Sequence, residues 1–271
     1  MPGFSVTLFL LPSDDQGPAT TDVLLELLDA PAKTPAWTWT STSPPGSIKK
    51  PTAPTKSESV DVKGTGDNVS GQFVDAVRRA CEGLIRAEPE ITQMDQIVGD
   101  GDCGTTLKSG AEAVLGVLGD KKITSSGVVS SVGQISAILS DSMGGTSGAL
   151  YSIYLSALAQ GLQNTSAEPA RAEYASAASF ALDRLYTYTR ARPPSRTLID
   201  PLEAFVKSLG DESVGLERAF EAAHLAAENT KNLPARAGRA AYVEAETVKG
   251  ICDPGAWGVR CLLQGLLNIT S

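Results

Sequence analysis

Val69-Ser70-Gly71-Gln72-Phe73-Val74-Asp75-Ala76-Val77-Arg78-Arg79-Ala80-Cys81-Glu82-Gly83-Leu84-Ile85-Arg86-Ala87 carries its apolar side chains at 73, 74, 77, 81, 84 and 85. That is the three-and-four spacing of a helix with one buried stripe, and it decides the class of the fold. The pattern recurs over residues 105–118, 127–139, 146–162, 170–188, 198–208, 213–231 and 255–267, often rich in alanine and without the β-branched, turn-punctuated runs of a sheet. Eight helices with loops between them predict an all-α bundle or barrel over residues 69–271.

Ahead of this stretch the composition shifts. Residues 41–68 are dominated by Ser, Thr, Pro, Lys and Gly and are expected to form a flexible, disordered linker. Residues 1–40 contain one apolar run of strand length, Phe4 to Leu11, and one short helix, Thr21 to Asp29. A lone strand and helix cannot bury both faces by themselves, so this segment reads as the torn edge of an α/β domain.

A chain of 271 residues with 42% hydrophobic content can bury a full core. Its net charge of −8 and pI near 4.8 oppose nucleic acid and anionic membrane as partners, but not a nucleotide that arrives with Mg²⁺. No apolar run of about 18 residues exists, so no transmembrane helix is expected. Phe4 to Leu11 lacks the basic leader of a signal peptide. Cys81, Cys103, Cys252 and Cys261 show no C-x-x-C spacing and His224 is the single histidine, which speaks against zinc and for free thiols in a reducing, cytoplasmic setting.

The chemistry gathers in the loops. Between the first two helical segments runs Met94-Asp95-Gln96-Ile97-Val98-Gly99-Asp100-Gly101-Asp102-Cys103-Gly104-Thr105-Thr106. Its glycines let the backbone curl so that Asp95, Asp100 and Asp102 face one point, and three carboxylates held together need positive charge. Oxygen donors alone point to Mg²⁺, Mn²⁺ or Ca²⁺, against the plainer reading of a solvated acidic turn. An EF-hand beginning at Asp100 fails, because Thr105 and Ala111 stand where Gly and Glu are required. Gly99-x-Gly101-x-x-Gly104 matches a dinucleotide fingerprint by letter, but no strand precedes it and its aspartates would repel a pyrophosphate.

Further along, Asp141-Ser142-Met143-Gly144-Gly145-Thr146-Ser147-Gly148 opens a helix whose free amides suit phosphate, although a close helix crossing explains the glycines equally well. No Gly-Lys-Ser/Thr occurs, so any nucleotide site here is not a P-loop. Arg196-Thr197-Leu198-Ile199-Asp200 starts a helix that Thr197 caps, Ala237-Gly238-Arg239-Ala240-Ala241-Tyr242 places an arginine among small residues, and Asp253-Pro254-Gly255-Ala256 is an ordinary helix start. His224, set among alanines, reads as structural.

Taken in order, these five motifs strongly resemble the nucleotide-binding L domain of dihydroxyacetone kinases, over roughly residues 70–271. Pro2 to Leu8 and the run ending in Trp37-Thr38-Trp39 look like the last strand and helix of the substrate-binding K domain, which precedes the L domain in single-chain, ATP-dependent members. The resemblance implies an eight-helix antiparallel barrel with ATP/ADP at one end and two Mg²⁺ held by Asp95, Asp100 and Asp102. It also implies phosphate contacts from Cys103, Gly104, Thr105, Thr106, Thr146 and Ser147, in a loop shaped by Met143, Gly144, Gly145 and Gly148. Thr197 and Leu198 would line the base pocket, while Arg239, Asp253, Pro254 and Gly255 close over the nucleotide.

Family members commonly carry Ser where this chain has Ala241. The histidine that binds dihydroxyacetone in the family belongs to the K domain, so no catalytic residue of that kind is expected here and activity would need a K domain in cis or trans. The alternative is a non-catalytic ADP/ATP-binding interaction module similar to phosphotransferase-linked L subunits. Oligomeric state stays open.

Overall fold

The computed structural model describes residues 21–30, 70–119, 127–166 and 168–269. The chain divides into two units, Met1–Asp61 and Val62–Ser271. In the first, helix α1 (Thr21–Asp29) forms where the sequence predicts it. The expected strand at 4–11 and linker at 41–68 lie outside the described residues.

The second unit is helical throughout its described residues. It contains α2 (Gly71–Val98), α3 (Cys103–Gly119), α4 (Gly127–Ser142), α5 (Gly145–Gly161), α6 (Arg171–Leu185), α7 (Ile199–Leu209), α8 (Leu216–Asn229), the single turn α9 (Ala245–Val248) and α10 (Pro254–Leu266). Each long helix packs on the next in sequence, and α10 packs on both α8 and α2. The eight long helices therefore close into an antiparallel ring, as expected. No helix among the described residues is long and apolar enough to cross a membrane.

One boundary differs from the pattern read in the sequence. The apolar stripe of the first helix ends near Ala87, but α2 continues through Pro89 to Val98. Proline removes one backbone donor inside a helix, at a cost of about 3 kcal/mol. Beyond it, Ile91 and Val98 are almost wholly buried and prolong the Cys81–Leu84 stripe, and their burial offsets that cost. The extension matters because it carries Asp95.

Side chains from α2, α3 and α4, among them Ile91, Leu107, Val114 and Leu139, form one apolar cluster; Leu185, Ile199, Phe205, Ala223 and Val259 anchor a second. Within the ring lies a cavity of about 990 Å³, lined by residues such as Phe73, Leu84, Leu107, Tyr154 and Leu263. The seam between α2 and α10 is tight: a Cβ at Gly265 would overlap the Arg79 carbonyl oxygen and stand 2.8 Å from the Ala80 Cα. Backbone rather than a flexible side chain is in the way.

Gly265→Ala is therefore expected to destabilise the unit by about 1–3 kcal/mol. Gly116→Ala, at an exposed helical position with nothing within 4 Å of the added Cβ, should stabilise it by about 0.5–1 kcal/mol. Urea unfolding of the two variants beside the parent chain checks both signs.

Candidate functional site

The last turns of α2 bring Asp95 to the buried face, between Ile91 and Val98. Gly99 ends the helix, its N–H donating to the Asp95 carbonyl at 2.7 Å. A Cβ there would overlap the Asp95 carboxylate, so a side chain at this position would push that carboxylate from its place. Gly101, at φ +81, turns the chain through the left-handed region. The chain then returns to Asp95, whose Oδ2 accepts the Cys103 N–H at 2.9 Å as α3 begins.

The outcome is that one oxygen each from Asp95, Asp100 and Asp102 lies within 4.8 Å of the others, Asp95 buried and the other two exposed. The structure thus brings together all three carboxylates singled out in the sequence. An all-oxygen set of this spacing fits a hard divalent cation that keeps water or phosphate in its remaining positions.

Two helix starts flank the triad. In α3 the first intrahelical bond runs from Thr106 N–H to the Asp102 carbonyl at 2.9 Å, and the Thr105 hydroxyl donates to the same carbonyl at 2.9 Å. The amides of Cys103 and Thr106 are therefore used internally. Those of Gly104 and Thr105 have no carbonyl one turn back and remain for a ligand. Gly104 also lets α3 approach α2, since a Cβ would lie 2.6 Å from the Glu88 carbonyl oxygen and 2.8 Å from the Thr92 nitrogen.

In α5 the N-cap is Gly144, with no side-chain cap bond. Gly145 follows at φ +64, and the first intrahelical bond comes only from Gly148 N–H to Gly144. Gly145, Thr146 and Ser147 thus present amides with no intrahelical acceptor, the arrangement that favours an anion. Met143 is not part of that surface. Its amide donates to Leu139 and its buried side chain sits against Gly110, so it shapes the loop from beneath.

The Ser147 side chain stands beside the Cys103 thiol, so the starts of α5 and α3 are neighbours. Burial, with Asp95, Asp253 and Asp102 adding their negative charge, pushes the Cys103 thiol up to about 12. At neutral pH it is a thiol and a hydrogen-bonding group rather than a nucleophile.

The remaining motifs meet at the neighbouring helix starts. The N-cap of α7 is Leu198, which makes no side-chain cap bond, and not Thr197 as expected; Thr197 stands one residue earlier and accepts the Ile199 N–H on its hydroxyl at 3.2 Å. Leu198, buried, lies 3.5 Å from where a Cβ on Gly255 would stand, so the starts of α7 and α10 touch. Asp253 caps α10, accepting the Ala256 N–H at 2.8 Å, and its own N–H donates to the Thr230 hydroxyl at 2.8 Å. Burial raises the Asp253 carboxyl to about 6, reinforced by the fields of Asp200 and Asp95 and opposed by the Ala256 amide and Arg196. Arg239 opens a short 3₁₀ turn (Arg239–Tyr242) after Gly238; its side chain lies outside the described residues. The turn is seated by Ala240, which packs with Val98 and Val248.

Two groups of this end have no assigned role in the sequence reading. Arg196 is 0% exposed and bonds to carbonyls 52 and 55 residues away. Asp200 accepts the N–H groups of Ser195 and Thr197 at 3.1 and 2.8 Å. Both stand in the quoted Arg-Thr-Leu-Ile-Asp run, but a buried arginine leaves no periodic signal. His224 accepts from Arg260 Nε at 3.2 Å and stacks on Phe220, in keeping with a structural role.

Comparison with known proteins gives a consistent set of similarities. Residues 97–268 match the family model described as the DAK2 domain. The chain is 36% identical over 288 aligned positions to the dihydroxyacetone kinase of Pichia angusta, covering 100% of this chain and 46% of that protein. It is 41% identical over 226 positions to dihydroxyacetone kinase 2 of Saccharomyces cerevisiae, covering 80% and 38%, and 32% identical over 278 positions to human triokinase/FMN cyclase, covering 99% and 46%. The native crystal structure of the C. freundii dihydroxyacetone kinase superposes with a TM-score of 0.65 at 26% identity, over 78% of this chain and 36% of that one. Its complex with AMP-PNP and Mg²⁺ gives 0.66 at 23% identity, over 94% and 46%. The chain thus spans about half the length, or less, of the curated relatives it matches.

Two outcomes are expected of the site itself. In chelator, Asp95→Ala should lose about 1–3 kcal/mol of stability by stranding the Cys103 amide, while Asp95→Asn, which keeps an acceptor, should lose less; urea midpoints decide. For Asp253 the folded pKa of about 6 exceeds the ordinary 3.8, so the folded state binds the proton first. Its stability should therefore rise, relative to Asp253→Asn, as pH falls from about 6 to 4. Thermal melts of the pair across that range read the sign, and a flat difference would refute it.

Proposed function

The chain belongs to the dihydroxyacetone kinase family, with residues 97–268 as its DAK2 domain, and we propose that it binds ATP at the Asp95 end of the barrel and donates the terminal phosphoryl group to dihydroxyacetone. The observation that carries this reading is the juxtaposition of a carboxylate triad with two helix starts whose amides lack intrahelical acceptors, with Ser147 of one start beside Cys103 of the other. A shared fold with a kinase crystallised with AMP-PNP and Mg²⁺ supports the nucleotide assignment.

In this reading each group has a defined task. Asp95, Asp100 and Asp102 hold two Mg²⁺ ions, which when bound neutralise phosphate charge. The amides of Gly104, Thr105, Gly145, Thr146 and Ser147 bind phosphate oxygens, with the hydroxyls of Thr106, Thr146 and Ser147 beside them. Gly144, Gly145 and Gly148 keep the backbone open to close approach. Leu198, with Thr197 and Gly255, forms the apolar wall for the base, and Asp253, Pro254 and Arg239 close the nucleotide end. None of these groups needs to accept a proton from the acceptor alcohol. Phosphoryl transfer relies chiefly on alignment and charge stabilisation, and this end supplies both.

The acceptor is brought by a K domain, in cis or in trans, whose histidine binds dihydroxyacetone. Residues 1–40 are read as the last part of such a domain and 41–68 as the linker. The alignment with the Pichia angusta kinase across the whole of this chain supports that layout. Without a complete K domain, this chain binds nucleotide without phosphorylating dihydroxyacetone.

Calorimetry should show ATP binding that requires Mg²⁺ and weakens roughly tenfold or more in Asp100→Asn, as removal of one charge-bearing ligand predicts. Dihydroxyacetone phosphate should form only when a competent K domain and Mg·ATP are added together. Metal-independent binding, or no product in the complete mixture, would sink the proposal.

A further inference from the structure

We infer that Arg196 is a positioning residue of the nucleotide end: its buried guanidinium holds the Val248–Asp253 segment where Asp253, Pro254 and Gly255 meet the nucleotide. The inference rests on the nucleotide reading above. Arg196 Nη2 donates to the Ile251 carbonyl at 2.9 Å and to the Val248 carbonyl at 3.4 Å. Nη1 stands 3.9 Å from Asp253 Oδ2. One side chain from the α6–α7 connection thus spans the whole approach to α10.

Its surroundings argue for placement rather than for folding energy. Arg196 is the largest fully buried side chain among the described residues, yet Nε and Nη1 have no hydrogen-bond partner. A buried cation with incomplete partners is a poor stabiliser, and an apolar side chain of similar volume commonly does as well or better. Its backbone is left-handed, at φ 59, a conformation unfavourable for a residue with a Cβ. Asp200 fixes that conformation by accepting the amides on either side, from Ser195 and Thr197, and Arg236 N–H donates to the Ser195 carbonyl at 3.2 Å.

The held segment reaches the metal loop as well. Val248, whose carbonyl Arg196 grips, packs on Val98, the residue immediately before Gly99-Asp100. Arg196 therefore fixes the far side of a strap whose near side leans on Val98, at the end of α2. Lysine at this position would keep the charge but has one nitrogen, and so could not serve the two carbonyls held by Nη2 and also place a second nitrogen, as Nη1 is placed, beside Asp253.

The test uses the full chain with Arg196→Lys and Arg196→Met. Hydrogen exchange followed by mass spectrometry should show residues 248–253 exchanging about tenfold faster in both variants, with the core of α3 and α5 unchanged. Calorimetry with AMP-PNP and Mg²⁺ should show affinity falling roughly tenfold in Arg196→Met and less in Arg196→Lys, the size expected for losing charged hydrogen bonds. Mn²⁺ titrated without nucleotide should bind all three chains within about twofold, since the triad itself is untouched. Unchanged exchange at 248–253 in Arg196→Met would overturn the inference. So would faster exchange throughout the barrel with metal and nucleotide lost together, which would mark Arg196 as a general stabiliser. A parent chain that binds no AMP-PNP with Mg²⁺ would overturn the nucleotide reading instead, and the exchange data would then decide whether Arg196 holds the segment.

Discussion

Asp95 stands at the joint on which the site depends. Its carboxylate is carried inward by the last turns of α2 and accepts the first amide of α3, so one buried negative charge both caps a helix and fixes the angle between two neighbours. A favourable interaction with the positive end of α3 lets that charge be buried at all. Once it is in place, the four residues between the helices have little freedom, and Asp100 and Asp102 are brought within reach of it. The seating of Gly104 against α2 and the placing of Cys103 beside Ser147 of α5 then follow from the same anchor.

The up-and-down course of the ring multiplies this effect. Because consecutive helices alternate in direction, α3, α5, α7 and α10 all begin at one end. Four positive helix ends and the carboxylates of Asp95, Asp100, Asp102, Asp200 and Asp253 share that end, which suits a ligand that is itself a mixture of anion and cation. Burial at this end, reinforced by the neighbouring acids, raises the Asp253 carboxyl and keeps Cys103 in its thiol form.

Much of this was legible from residue order. The stripe at 73, 74, 77, 81, 84 and 85 sufficed for the helical class, and the Asp/Gly loop for the triad. What escaped depends on contacts between distant segments. The run through Pro89 was hidden because a proline ordinarily marks a helix end, and only the burial of Ile91 and Val98 keeps the helix going. Nothing local shows that Cys103 and Thr106 spend their amides internally, or that Met143 points away from the ligand face. Arg196 is the clearest case. Its partners lie more than fifty residues downstream, and no spacing rule reports a buried guanidinium.

The alternation of helices also sorts the connections into two classes. Those joining α2 to α3, α4 to α5, α6 to α7 and α8 to α10 lie at the Asp95 end, where a change of one residue would move an atom of the proposed nucleotide site. The ends of α3, α5 and α7 and the starts of α4, α6 and α8 fall at the opposite mouth of the ring. Insertions and deletions can therefore accumulate at that mouth during divergence, or be engineered into it, while the working end keeps its spacing.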